Sequence, residues 1–92
     1  MSTTPNLPVP AGATAGSWSE PDCDGDQART LTWSRHDTDE VGVTIEGWQS
    51  SDGDVDRCIS IYDAGNAELS AADARRLAAA LLNAADELDR LR

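Results

Sequence analysis

The sequence predicts an α+β fold in which a three-stranded antiparallel meander is followed by one long C-terminal helix, in the order β-β-β-α. Three stretches between residues 28 and 63 alternate apolar and polar side chains, and short polar turns separate them. Connections of this length join antiparallel neighbours. Residues 69–92 then repeat apolar side chains at helical spacing. At 92 residues the chain has room for one domain.

The first 17 residues are predicted to be an arm that precedes a domain at residues 18–92. They hold three of the chain's four prolines among small residues and show no periodicity, so we expect the arm to be disordered or extended. Residues 18–27 form an acidic, turn-rich loop. Trp18 is the one residue of that loop able to anchor it to the body of the protein.

Alternation places the three strands at residues 28–36, 40–50 and 55–63, with a glycine-containing hairpin turn before the last. In the first strand it puts Arg35 on the core side and Ser34 and His36 on the reverse side. The apolar core positions are Leu31, Trp33, Val41, Val43, Ile45, Ile59 and Ile61. The reverse face carries Trp48, Cys58, Tyr62 and threonines. A half-apolar face of this kind needs a cover, which the arm or a second subunit could provide.

The helix begins at Ser70, a good N-cap, and Asp73 completes a capping box. Its predicted apolar stripe consists of Ala74, Leu77, Leu81, Ala84, Leu88 and Leu91, widened by Ala78 and Ala85. The predicted polar side carries Arg75, Arg76, Asn83, Asp86, Glu87 and Arg90. Leu82 lies at the edge of the apolar face.

The predicted helix is longer than the strands that it would cover. Residues 71–92 would span about 33 Å at 1.5 Å per residue, against roughly 25–30 Å for each strand. We therefore expect the last turn to extend past the sheet, where Leu88 and Leu91 would meet another chain.

The charge distribution limits the kinds of molecule that the protein can bind. The net charge is -10, and residues 1–68 hold 13 acids and three arginines, whereas residues 69–92 hold four of each. An acidic surface repels DNA, RNA and anionic membranes, so we expect neither nucleic acid nor membrane as a partner. A protein that mimics nucleic acid remains open. It would use Asp22, Asp24, Asp26, Asp37, Asp39, Asp52, Asp54 and Asp56.

The sequence also favours a cytoplasmic location. The N-terminus lacks the basic and apolar regions of a secretory signal, and no apolar run is long enough to cross a bilayer. In that compartment Cys23 and Cys58 are expected to be thiols.

The helix string Leu69-Ser70-Ala71-Ala72-Asp73-Ala74-Arg75-Arg76-Leu77-Ala78-Ala79-Ala80-Leu81-Leu82-Asn83-Ala84-Ala85-Asp86 resembles the end of a family of small actinobacterial and actinophage domains of unknown function. Members often carry Trp-Cys-x-x-Asp-His upstream. Here Trp18 and Asp22 match that string, while Ser19 stands where a cysteine would be and Cys23 where a histidine would be. The resemblance covers residues 18–92 and implies architecture and host lineage, without an activity to transfer.

Metal-binding motifs are incomplete. Cys23, His36 and Cys58 are the only soft ligands, and no Cys-x-x-Cys or His-x-x-x-His pair exists. The two Asp-x-Asp-x-Asp stretches, which begin at Asp22 and Asp52, lack the glycine and glutamate that an EF-hand loop needs at its sixth and twelfth positions. We therefore expect no bound metal and no other cofactor, with a metal-binding domain as a weaker alternative.

Catalytic motifs are missing as well. The sequence holds neither G-x-S-x-G nor a phosphate-binding glycine loop. Cys58 and His36 could form a dyad only if the first and third strands were neighbours, and a meander separates them. We therefore expect no enzyme.

These observations favour a small, acidic, non-enzymatic interaction or regulatory module that forms a homodimer, in an actinobacterium or its phage. The alternative is a nucleic-acid mimic that inhibits a host DNA-binding protein. The residues expected to mediate interaction are Trp48, Tyr62, Leu82, Leu88 and Leu91.

Overall fold

A computed structural model describes residues 5–62 and 68–91 of the chain. It is an α+β fold in which a four-stranded antiparallel sheet, in the order β1-β2-β3-β4, is followed by one helix. The elements are β1 (Thr14–Ala15), β2 (Ala28–Arg35), β3 (Gly42–Ser50), β4 (Val55–Tyr62) and α1 (Ala71–Arg90).

The fold class and the C-terminal helix are confirmed, but the prediction of three strands is incomplete. β1 pairs with the outer side of β2, with Thr14 opposite Thr32 and Ala15 opposite Leu31. A strand of two residues is too short to show alternation, so the proline-rich segment gave no signal for it. The predicted end of the last strand at residue 63 lies outside the described residues.

The β3–β4 hairpin follows its predicted turn. Gly53 has a φ of 100°, a value that side chains other than glycine rarely adopt. The Ser50 amide donates to the Asp54 carbonyl at 2.8 Å, which closes the turn. From there β3 and β4 pair residue for residue, with Ile45 opposite Ile59.

A bulge in β2 overturns part of the predicted alternation. The register with β3 shifts between Thr32 and Ser34, so Trp33 is an extra residue with no partner of its own. Because a shift of one residue exchanges the two faces, Ser34 points to the core side, opposite Ile45, and Arg35 points to the reverse side. The sequence pattern had assigned these two residues the other way round.

The core lies between α1 and strands β3 and β4. Val43, Ile45 and Ala84 are fully buried, and Val41 is nearly so. Partly buried side chains that pack against them are Trp33, Ile59, Leu69, Leu77, Leu81, Leu88 and Leu91.

The helix is rotated relative to the predicted stripe. Ala84 is buried as expected, but Ala74, Ala78 and Ala85 are exposed, and Glu87 is half-buried. The helix face turned to the sheet therefore includes the flank with Glu87, which the sequence pattern had placed on the solvent side. The capping box at Ser70 and Asp73 is present as predicted.

The two last leucines of the helix region, Leu88 and Leu91, are partly buried and pack against the core. Their predicted contact with another chain stays a prediction.

Residues 7–11 of the N-terminal arm lie on the same face of the sheet as the helix. The Arg29 side chain, 9% exposed, donates to the Leu7 carbonyl at 3.0 Å and to the Gln49 amide oxygen at 2.7 Å. Gln49 in turn donates to the Pro8 carbonyl at 3.2 Å. Arg29 and Gln49 face each other across β2 and β3, on the side that also carries Ile45.

Two tryptophans complete this attachment. The Arg29 guanidinium lies 4.6 Å from the centre of the Trp18 ring, a cation–π contact that anchors the acidic loop. Trp33 Nε1 donates to the Ala11 carbonyl at 3.2 Å. Since residues 7–11 lie on the helix side, this part of the arm does not supply the cover expected for the reverse face. No helix within residues 5–62 and 68–91 is long and apolar enough to cross a membrane.

Candidate interaction surface

The reverse face of the sheet, which we call the open face, has no covering layer among the described residues. Trp48 is 55% exposed and Tyr62 is 45% exposed. They lie near opposite ends of the face, since Trp48 is opposite Asp56 and Tyr62 is opposite Gly42. The sequence predicted this placement of both aromatic residues.

Polar side chains fill the space between the two aromatic residues. A shallow depression of about 360 Å³ is lined by Thr32, Arg35, Thr44, Glu46 and Tyr62. The Tyr62 hydroxyl donates to the Glu46 carboxylate, and this bond raises the pKa of Tyr62 above 10.0. The side chain of Arg35 is 66% exposed and its Nε lies 2.8 Å from an Asp37 carboxylate oxygen. The open face thus offers two aromatic rings with charged groups of both signs between them.

The other predicted interaction residues lie elsewhere. Leu82 is 68% exposed on the outer side of α1, and the sheet separates it from the open face. Leu88 and Leu91 pack inward. The five predicted residues therefore fall into three groups: two lie on the open face, one is exposed on the helix, and two are partly buried against the core.

A polar cluster that the sequence did not predict joins the helix to β2. Ser34 and His36 both contact the Glu87 carboxylate, with the His36 Nε2 atom 2.9 Å from Oε2. These two hydrogen bonds, first that from Ser34 and then that from His36, lower the pKa of Glu87. The bulge turns Ser34 inward, and the helix rotation turns Glu87 towards it. Strict periodicity could not reveal either displacement.

The cluster contains the residue types of a catalytic triad in a different geometry. A triad needs the nucleophile on one ring nitrogen of histidine and the carboxylate on the other. Here the Ser34 hydroxyl and the Glu87 carboxylate contact the same ring nitrogen, Nε2 of His36, with the hydroxyl oxygen 3.2 Å from it. Because the carboxylate only accepts, Nε2 carries the proton that it donates to Glu87 and is not a base towards Ser34. The arrangement serves to attach the helix to the sheet.

The aspartates expected of a nucleic-acid mimic are divided between the two ends of the sheet. At one end, Asp22, Asp26 and Asp52 line a depression of about 280 Å³. Asp37 and Asp39 line another depression at the opposite end, beyond the start of β3. Asp56 lies on the open face, opposite Trp48. This scatter does not reproduce a row of phosphates.

The soft metal ligands do not converge. Cys23 is exposed in the acidic loop, His36 contacts Glu87 on the helix side, and Cys58 is exposed on the open face. Within residues 5–62 and 68–91, the one group of three candidate ligands is Asp22, Asp24 and Asp26, all exposed. The Asp22 carboxylate accepts hydrogen bonds from the two following aspartate amides, which accounts for the turn.

Comparisons with protein-family models, curated proteins and solved structures found no match to this chain.

Proposed function

We propose that the protein is a small, acidic, non-enzymatic interaction or regulatory module that acts as a homodimer. The observation that carries the proposal is the open face, where Trp48 and Tyr62 are half-exposed and no described segment lies over them. Tryptophan, tyrosine and arginine are the residue types that dominate the energetics of protein interfaces. The open face presents all three, the arginine being Arg35.

The resemblance of the helix string supports a role in an actinobacterium or its phage. The acidic surface, which repels nucleic acid and anionic membranes, supports a protein as the partner. A homodimer would present two open faces to such a partner. Two linked sites bind more tightly than one when the partner can reach both.

Sedimentation velocity of the full chain at micromolar concentration, under reducing conditions, tests the homodimer. We expect a species of twice the 9.8 kDa chain mass. A single species of monomer mass would contradict the proposal.

Affinity capture from the host tests the open face. The Trp48→Ser, Tyr62→Ser double variant should lose a partner that the wild-type chain retains. Val9→Ser is the matched control, because Val9 is an exposed apolar residue of the arm. Identical captured proteins for all three chains would show that the open face is not the binding surface.

A further inference from the structure

We propose that the homodimer forms by antiparallel pairing of β4 with β4 of a second copy, which joins two four-stranded sheets into one. This inference rests on the homodimer proposed above and assigns its interface. It leaves both open faces free and places them side by side.

The first argument is that the two edges of the sheet differ. β2 is covered along its outer side by β1 and by the chain after it, where Gly16 donates to the Thr30 carbonyl and Ser19 to that of Ala28. β4 has eight residues and no strand on its outer side within the described chain. It contains no proline, lysine or bulge, and its charged residues are limited to one aspartate and one arginine.

The second argument is the direction of the backbone groups. Ser50 donates to Asp54 across the hairpin, and antiparallel ladders alternate, so the N–H and C=O groups of Asp56, Cys58 and Ser60 point to β3. The outward-pointing groups belong to the intervening residues, Val55, Arg57, Ile59 and Ile61. A second β4 in antiparallel orientation presents the same pattern, so each outward donor meets an outward acceptor.

The third argument is the flank of α1 on that side. Because Glu87 contacts Ser34 of β2 and the helix packs on β3 and β4, the opposite flank of the helix is turned towards the β4 side. That flank carries the exposed Ala74, Ala78 and Ala85, with the 68%-exposed Leu82 beside them. The predicted apolar stripe is therefore wider than the face that the monomer buries.

Ile61 extends this apolar region onto β4. It lies on the helix side, opposite Val43, yet it is 49% exposed. Pairing two β4 edges would bring the two alanine-rich flanks and the two Ile61 side chains towards the dyad. The surface that one copy leaves uncovered is thus the surface that the other copy would cover.

Charge identifies the occupant as a second copy. The excess of ten negative charges lies upstream of residue 69, whereas residues 69–92 are neutral. β4 carries one aspartate and one arginine. Two copies of an acidic protein can approach here with the least repulsion. A register that places Arg57 opposite Arg57 of the second copy would bring two positive charges together, which is unfavourable. The favoured registers therefore place Cys58 opposite Cys58, or Ile59 opposite Ile59.

Cross-linking tests the pairing directly. Residues of the open face would form non-hydrogen-bonded pairs across the dyad, with Cα atoms about 4.5 Å apart, a separation that permits a disulfide. In a Cys23→Ser background, oxidised glutathione should link Cys58 to its copy. If Ile59 instead lies opposite Ile59 of the copy, Cys58 lies opposite Ser60 of the copy. In that register, adding Ser60→Cys should restore the link. If neither chain cross-links although wild-type protein is dimeric, edge pairing is overturned while the homodimer stands.

Edge substitutions provide an independent test in the full chain. Arg57→Pro removes an outward N–H that the monomer does not use and should weaken dimerisation about tenfold or more. Arg57→Ala, which removes the same side chain and keeps the N–H, is the matched control.

On the helix, Ala78→Glu should weaken the dimer and Ala79→Glu, on the side away from β4, should not. The proposal of edge pairing would be overturned if Arg57→Pro and Arg57→Ala had equal dimer dissociation constants and Ala78→Glu and Ala79→Glu did as well. A monomeric wild-type chain would instead overturn the homodimer.

Discussion

The two halves of the helix-side face of the sheet are covered by different chemistry. Around Val43 and Ile45 the cover is α1, and most of the contacts are apolar. Around Arg29 and Gln49 the cover is the arm, which presents backbone carbonyls to the donors of buried side chains. A helix can bury a stripe of side chains, whereas an arm of proline and small residues has little to bury. The comparison shows that one sheet face uses polar contacts where apolar cover is missing.

The apolar half should give the largest effect on stability. Ile45→Ala leaves a cavity under the helix and should lower the free energy of unfolding by about 2–5 kcal/mol. Ile61→Ala is the control on the same face, and its exposure predicts a smaller loss. Urea unfolding of both variants measures the difference. Equal losses would mean that the helix does not set the stability of this half.

The polar half should give the second effect. Arg29→Met leaves the Gln49 side chain and the Leu7 carbonyl without their donor, at a cost of about 1–3 kcal/mol. Hydrogen exchange of residues 7–13 should rise at the same time, because the arm loses its anchor. Arg35 is mostly exposed, so Arg35→Met should change the free energy of unfolding and the exchange of residues 7–13 little. An unchanged exchange rate in Arg29→Met would show that the arm is held by other contacts.

Sequence patterns predicted the apolar half far better than the polar half. The three long strands, the helix and its capping box follow from periodicity and local chemistry. The attachment of the arm depends on Arg29 and Gln49 meeting carbonyls that lie 22 and 41 residues away along the chain. Carbonyls are common to all residues, so no side-chain pattern marks which of them will accept.

The candidate surfaces were predicted only where alternation holds. Trp48 and Tyr62 lie in regular β3 and β4, and both are on the expected face. Ser34 follows the bulge, and Glu87 lies on the rotated flank of the helix, so their contact was missed. An estimate of length predicted that Leu88 and Leu91 contact another chain, and in the structure both are partly buried against the core.

A third, smaller effect should come from the cap of the covering helix. Ser70 accepts from the Asp73 amide, and Ser70→Ala should cost about 1 kcal/mol. Thermal unfolding followed by circular dichroism measures the loss. Ser70→Asp, which keeps an acceptor, should retain most of the stability. A full loss in both variants would contradict the capping role.

The smallest expected effect is a pH dependence at the contact between helix and β2. The hydroxyl of Ser34 and the ring of His36 hold the pKa of Glu87 below its usual value of 4.5. Folding therefore favours the ionised carboxylate. Its contribution is complete above pH 4.5 and is lost as the pH falls through the lower pKa of the folded state.

Glu87→Gln removes this titration. Below pH 4.5 the wild-type free energy of unfolding should fall more steeply than that of the variant, as measured by urea unfolding at a series of pH values. Asp73, whose pKa is also lowered, through its bonds to Ser70, is common to both chains and cancels in the comparison. Parallel curves would show that the Glu87 contacts do not distinguish the two protonation states.

The attachment of the arm has a consequence for synthesis of the chain. Leu7 and Pro8 are made before the strands that hold them, and the Pro8 carbonyl needs the Gln49 side chain, 41 residues later, as its donor. At 5–20 residues per second that interval lasts about 2–8 s on the ribosome. The core beside these residues forms later still, because Ala84 lies in α1 and is made after the whole sheet. Residues 7 and 8 are therefore without these native contacts until most of the sheet has been synthesised.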